Sequence, residues 1–125
     1  KYGADYGINY KTHPDWEKKV LEFTKGKGVD LVIETGGSGT MPKSLASVRP
    51  GGQIGLFGFL SQAEQRTDLV IPIVLKGVVV RGIQVGSRQL FEQLLQFVHA
   101  KKLRMPIEHT FGFTEDQVHA AYEKL

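Results

Sequence analysis

The chain has 125 residues, 41% hydrophobic and 23% charged, which fits one ordinary folded domain able to bury roughly two thirds of its unfolded surface. A formal charge of +3 is spread among acids, with no basic run longer than Lys18-Lys19 or Lys101-Lys102, so nothing promotes a nucleic-acid surface. Zero cysteine excludes disulfides and thiolate metal ligands, no stretch approaches the ~20 apolar residues of a membrane span, and the N-terminus is no signal peptide; the expected location is cytoplasmic.

Tyr6-Gly7-Ile8-Asn9-Tyr10 reads as a weak strand of aromatic and β-branched residues. Thr12-His13-Pro14-Asp15 spells a capping box, and Trp16, Val20 and Phe23 recur at helical spacing behind it. Lys25-Gly26-Lys27-Gly28 ends that helix, with glycine for the left-handed residue and lysine for the negative helix end. A strand follows at 29–35, carrying the apolar run Leu31-Val32-Ile33. Thr40 is placed to cap a short helix over 41–48, stopped by Arg49-Pro50-Gly51-Gly52. The next strand is 53–59, with the run Ile54-Gly55-Leu56-Phe57.

Residues 61–68 are polar and carry no pattern. Residues 69–76 are apolar, but Pro72 argues against a central strand and for a turn or short helix. Val78-Val79-Val80 opens another strand, running to Val85. Ser87 caps the clearest helix in the chain, whose stripe is Leu90, Phe91, Leu94, Leu95 and Val98, with Lys101-Lys102 at its end. Residues 107–113 suit a short extended piece. Thr114-x-x-Gln117 then spells a second capping box before the stripe Val118, Ala121, Tyr122 and Leu125.

The two short apolar runs at 31–33 and 54–57 are bounded by glycine and joined by a segment long enough for a helix. The economical reading is β-α-β with parallel strands. Strands alternating with helices give an α/β, three-layer class. Open parallel sheets bind ligands outside the carboxyl ends of their strands, so the glycine-rich exits, Gly36, Gly37 and Gly39 after one strand and Gly58 late in the next, are where function is sought. Gly36-Gly37-Ser38-Gly39 suits close backbone approach to a phosphate or sugar, or a plain tight connection, since G-x-G-x-x-G spacing is lacking. Glu34 suits a ribose hydroxyl or merely the solvent edge. Gly86-Ser87-Arg88 suits an anion at a helix start, although capping alone explains Ser87. His13, His99, His109 and His119 lie in unrelated elements without metal spacing, and no Ser-His-Asp set, P-loop or H-E-x-x-H motif is present. The chain has ligand-shaped loops and no visible catalyst.

GADYGINYK, TKGKGVDLVIETGG, SLASVRPGGQIGLFG, KGVVVRGIQVGSRQLFEQLLQF and FTEDQVHAAYEKL, in that order, resemble the medium-chain dehydrogenase/reductase superfamily of zinc-type alcohol dehydrogenases and quinone oxidoreductases. The likeness covers essentially the whole chain. It implies a partial Rossmann-like domain over 1–125, a parallel sheet with helices on both faces that holds the third to sixth of the family's strands. The family's catalytic domain and its glycine-rich pyrophosphate loop have no counterpart here. The resemblance therefore implies the cofactor-binding piece of an NAD(P)-dependent oxidoreductase, inactive alone, with NAD versus NADP unread. It leaves zinc to the parent protein, with no ligands in this chain.

Carried over residue by residue, the resemblance implies that Tyr10 lies against the adenosine end of the cofactor. It puts Thr35, Gly36 and Gly37 in a loop passing a ribose, and gives Phe57, Gly58 and Phe59 a backbone lining the nicotinamide. Val85, Gly86, Ser87 and Arg88 fall near that same end. The missing strands also imply an exposed edge along 29–35, met either by residues 6–10 pairing directly beside it or by homo-oligomerisation; the strand at 78–85 offers a second oligomer contact. Two other readings compete: an S-adenosylmethionine-dependent methyltransferase-like domain, whose sheet shares the acid-ended strand, and a non-catalytic assembly domain.

Overall fold

The computed structural model describes residues 3–63 and 67–125, which divide into a unit ending at Val85 and a second running Gly86–Leu125. The first unit holds α1 (Trp16–Phe23), β1 (Val29–Glu34), α2 (Met41–Ser47), β2 (Val48–Leu56), α3 (Val70–Lys76) and β3 (Val79–Gly82). The three strands form one parallel sheet in the order β1-β2-β3. This is the α/β parallel arrangement that the glycine-bounded apolar runs imply, and it is Rossmann-like, as the resemblance implies.

Strand alternation decides where the core lies. Val32, Ile54 and Val80 stand in register across the sheet and point to one face. Met41 and Leu45 of α2, with Val48 and Val78, close over them, and Leu69 and Ile73 pack from the α3 side. Side chains of this size, removed from water as fully as Ile54 and Leu45 are, each contribute about 1.5–3 kcal/mol. The intervening residues face the other way: Leu31 is 54% and Ile33 57% exposed. On β2 the residue level with Ile33 is Gly55, which adds no side chain to that face.

Several local expectations are corrected. Residues 6–10 form no strand and do not pair with β1; Tyr6 instead stacks on Phe23 of α1, ring centroids 4.2 Å apart. The Asn9 carboxamide oxygen accepts from the Lys11 N–H at 2.9 Å, and the Asn9 carbonyl accepts from Thr12 and His13, so a local turn outcompetes sheet pairing. That same turn takes the Thr12 hydroxyl (3.1 Å to the Asn9 carbonyl), so the capping box at 12–15 does not form. Asp15 stands at the N-cap with its carboxylate on Lys18 at 2.7 Å.

Pro50, Gly51 and Gly52 lie inside β2 and do not precede it. Val48 pairs with Val29 and Gln53 with Leu31, so the extra residues bulge outward, with Gly51 at φ +68° supplying the left-handed kink. β3 ends at Gly82, short of Val85, whose own φ is +46°. A β-branched residue there is a steric outlier that turns the chain out of the sheet.

The helix alternative for 69–76 is the one adopted. Pro72 falls in the first turn of α3, where its missing N–H is not needed; the Asp68 carboxylate accepts from the Val70 N–H at 2.8 Å, and Gly77 closes the helix at φ +58°. The Lys76 ammonium then donates to the carbonyls of Leu45, Ala46 and Val48 at 2.7, 3.0 and 2.8 Å, ending α2 with a positive charge. Of the patternless stretch 61–68, residues 64–66 lie outside the described residues.

The second unit contains α4 (Arg88–Ala100) and α5 (Glu115–Glu123). Ser87 caps α4 as expected, its hydroxyl accepting from the Leu90 N–H at 3.2 Å. The second capping box is corrected. Thr114 makes no side-chain cap, and the Gln117 carboxamide oxygen instead accepts from the Gly112 N–H at 3.4 Å. Residues 107–113 form no strand.

Candidate functional site

Parallel pairing brings Glu34, Leu56 and Gly82, the last residues of the three strands, level with one another. The loops leaving them therefore share one rim. Two open grooves lie along it. One, of about 590 Å³, is walled by Tyr10, Trp16, Ile33, Thr35, Gly36 and Leu60 among others. The second, of about 1030 Å³, is lined by Leu56–Phe59 and Gly82–Val85, with Phe59 86% and Val85 91% exposed.

The sequence-expected residues distribute as follows. Tyr10, Thr35 and Gly36 meet at the first groove. Phe57, Gly58, Phe59 and Val85 meet at the second. Gly37 is buried between the loops, in a bridge to Ser61. Gly86, Ser87 and Arg88 belong to the second unit, where the Ser87 hydroxyl is engaged in capping and the Arg88 guanidinium pairs with Glu92 at 2.9 Å.

The exits of β1 and β2 are stitched to each other. The Glu34 carbonyl accepts from the N–H groups of Phe57 and Gly58, both at 3.1 Å. The Gly36 carbonyl accepts from the Ser61 N–H at 2.7 Å and from its hydroxyl at 3.0 Å. Ser38 donates to the Ser61 carbonyl at 3.2 Å. The loops run so close that a methyl group on Gly58 would land on the Thr35 carbonyl, and one on Gly37 would come 2.9 Å from both the Gly58 oxygen and Phe59 Cα. Glycine at these two places is a packing requirement between loops.

The Glu34 carboxylate closes the arrangement from beneath. It is 4% exposed, and its Oε1 accepts from the N–H groups of Gly36 (2.7 Å) and Gly37 (3.0 Å) and from the Thr40 hydroxyl (2.6 Å). Oε2 accepts from the Ser44 hydroxyl. Burial pushes its pKa up, but the Ser44, Thr40, Gly37 and Gly36 donors together outweigh that and hold it below the usual glutamate value. Two readings of the sequence change as a result. The Glu34 carboxylate is turned inward, buried and engaged by four donors, so it is not presented to a ribose hydroxyl, and the Gly36 and Gly37 N–H groups are not available to a phosphate. Thr40, expected as a cap, holds the N-cap position but gives its hydroxyl to Glu34.

The residues missed in the sequence are Ser44 and Ser61. Ser44 carried a signal, since it is a polar residue on the buried side of α2, four residues after Thr40. Ser61, in a patternless stretch, carried none. Among the described residues no three His, Cys, Asp or Glu side chains gather in a metal-binding group, and the chain has no cysteine. No described helix is long and apolar enough to cross a membrane.

Residues 1–100 match the family model described as zinc-binding dehydrogenase. The chain is 35% identical over 98% of its length to a zinc-type alcohol dehydrogenase-like protein of Schizosaccharomyces pombe, and 36% identical over 92% to a 2-haloacrylate reductase of a Burkholderia species. It spans 36% and 37% of those two relatives, about a third of each. Among solved structures, a 2-haloacrylate reductase superposes with a TM-score of 0.71 at 27% identity, covering 98% of this chain and 40% of that one. An NAD-dependent alcohol dehydrogenase gives 0.67 at 32% identity, covering 81% and 29%. This chain belongs to the zinc-binding dehydrogenase family, within the medium-chain dehydrogenase/reductase superfamily, and corresponds to its C-terminal nucleotide-domain part.

Proposed function

We propose that this chain is the cofactor-orienting part of an NAD(P)-dependent oxidoreductase and that its rim receives the dinucleotide. The observation that carries this is the alignment of three parallel strand ends whose loops wall two grooves on one rim. Bound there, a nicotinamide cofactor would supply hydride transfer. The chain's own residues would do the positioning. Phe57, Phe59, Ile83 and Val85 offer apolar surface to a flat ring, and the exposed Thr35 hydroxyl and the Tyr10 ring stand at the other groove, where a ribose and a base would lie. Gly58 permits the close loop approach that shapes both walls.

Among the described residues lining the two grooves the one carboxylate, Glu34, is buried and already accepts four hydrogen bonds, and no histidine, lysine or arginine stands there. Acid–base work, any metal and the choice of substrate are therefore assigned to residues beyond this chain, and the chain alone is expected to be without turnover. NAD and NADP are not distinguished. The outer edge of β1, which has no strand beside it among the described residues and carries exposed Leu31 and Ile33, supports self-association as a further part of this reading.

The test is a titration of the 15N-labelled chain with millimolar NADH, with S-adenosylmethionine as the control. Shifts at Thr35, Phe57, Gly58, Phe59 and Val85 with NADH alone are expected. An equal response to both ligands, or one confined to other residues, sinks the assignment.

A further inference from the structure

We infer that the Glu34 carboxylate is a positioning residue, a latch that fixes the β1 and β2 exit loops in the shape the cofactor rim requires, an inference that rests on the dinucleotide reading above. Its four donors come from three places: the loop itself (Gly36 and Gly37 N–H), the N-cap of α2 (Thr40) and the first turn of α2 (Ser44). The carboxylate thus ties the loop to the helix. The loop's other side is tied to the β2 exit through the Glu34 and Gly36 carbonyls, which hold Phe57, Gly58 and Ser61. With both glycine N–H groups drawn inward, the Thr35 side chain is left outward and exposed at the groove.

A glutamine in this place would keep an acceptor for the glycine N–H groups but turn an N–H₂ donor toward a hydroxyl that now donates. One hydrogen bond would have to reorganise and the charge would be lost. The burial of the carboxylate supports a role inside the protein and not contact with ligand, and its lowered pKa agrees with an acceptor ionised at neutral pH.

The experiment uses the full chain, 15N-labelled, as wild type, Glu34→Gln, Ser44→Ala and Lys76→Met, with amide exchange and NADH titration read for each. Glu34→Gln is expected to stay cooperatively folded, to speed exchange at Gly36, Gly37, Gly58 and Ser61 about tenfold, and to weaken the NADH response of the rim about tenfold, the size of one lost charge-assisted hydrogen bond. Ser44→Ala is expected to do the same to a smaller degree. Lys76→Met, away from the loops, is expected to lower global stability and leave the rim response unchanged, which a merely structural role for Glu34 would not separate. Unchanged exchange at the four amides in Glu34→Gln overturns the latch. Faster exchange with an unaltered NADH response overturns the positioning role. Should Glu34→Gln fail to fold, Ser44→Ala decides by the same two criteria. A wild-type rim that ignores NADH overturns the positioning role together with the dinucleotide reading, and is told apart from the other failures because it is seen without any substitution.

Discussion

Gly58 and Glu34 behave in opposite ways under substitution, and the difference is geometric. At Gly58 any side chain meets the Thr35 backbone, which cannot rotate away as a flexible side-chain end could. Gly58→Ala is expected to cost about 1–3 kcal/mol, the range for overpacking a tight site, read from the urea midpoint. At Glu34 the cost depends on pH. Its folded pKa lies below the unfolded one, so its contribution is fully present above the ordinary glutamate range and is lost as pH falls through the folded value. Urea unfolding from neutral to acidic pH is expected to show a decline in wild type that is shallower in Glu34→Gln. An unchanged slope would mean the carboxylate is not linked to folding.

Helix ends separate what local spacing decides from what it does not. Ser87 and Thr114 look equivalent in sequence, each a hydroxyl residue just before an apolar stripe. Only Ser87 makes its cap. Ser87→Ala is expected to cost α4 about 1 kcal/mol, whereas Thr114→Ala is expected to change α5 by no more than about 0.5 kcal/mol, both read as local amide exchange. At the other end of a helix, the Lys76 ammonium serves three carbonyls at the close of α2. Lys76→Met is expected to destabilise the first unit by about 1–2 kcal/mol in thermal or urea unfolding, since it strips a charged donor from those carbonyls and leaves them half-buried.

At the scale of the whole molecule, the sheet is covered on the face that carries Val32, Ile54 and Val80 and bare along Leu31 and Ile33 in the first unit. The outer edge of β1 has no strand beside it among the described residues. A flat apolar edge of this kind recruits another strand unless charge blocks it. Leu31→Lys with Ile33→Lys is expected to leave the unfolding midpoint within about 0.5 kcal/mol of wild type, because both side chains are already exposed, while shifting any dimer seen by size-exclusion chromatography to monomer. Dimer retained by the double variant would place the contact elsewhere.

The central β-α-β run, the parallel strands, the capped helix at 88 and the glycine-rich rim were all legible, because periodicity, caps and turn glycines are written in residues a few positions apart. The resemblance to medium-chain dehydrogenases was legible too, and the family model matches. What the sequence concealed depends on the chain returning to itself. Residues 6–10 have strand-like composition, yet a turn around Asn9 claims them. Pro50-Gly51-Gly52 reads as a stop but is carried within β2 as a bulge, since pairing resumes at Gln53. Glu34 reads as an exposed strand end and is sealed by donors up to ten residues away. Local order follows from short-range sterics and hydrogen bonds, whereas the latch beneath the rim exists only after β1, α2 and β2 have packed and water has been excluded from one carboxylate.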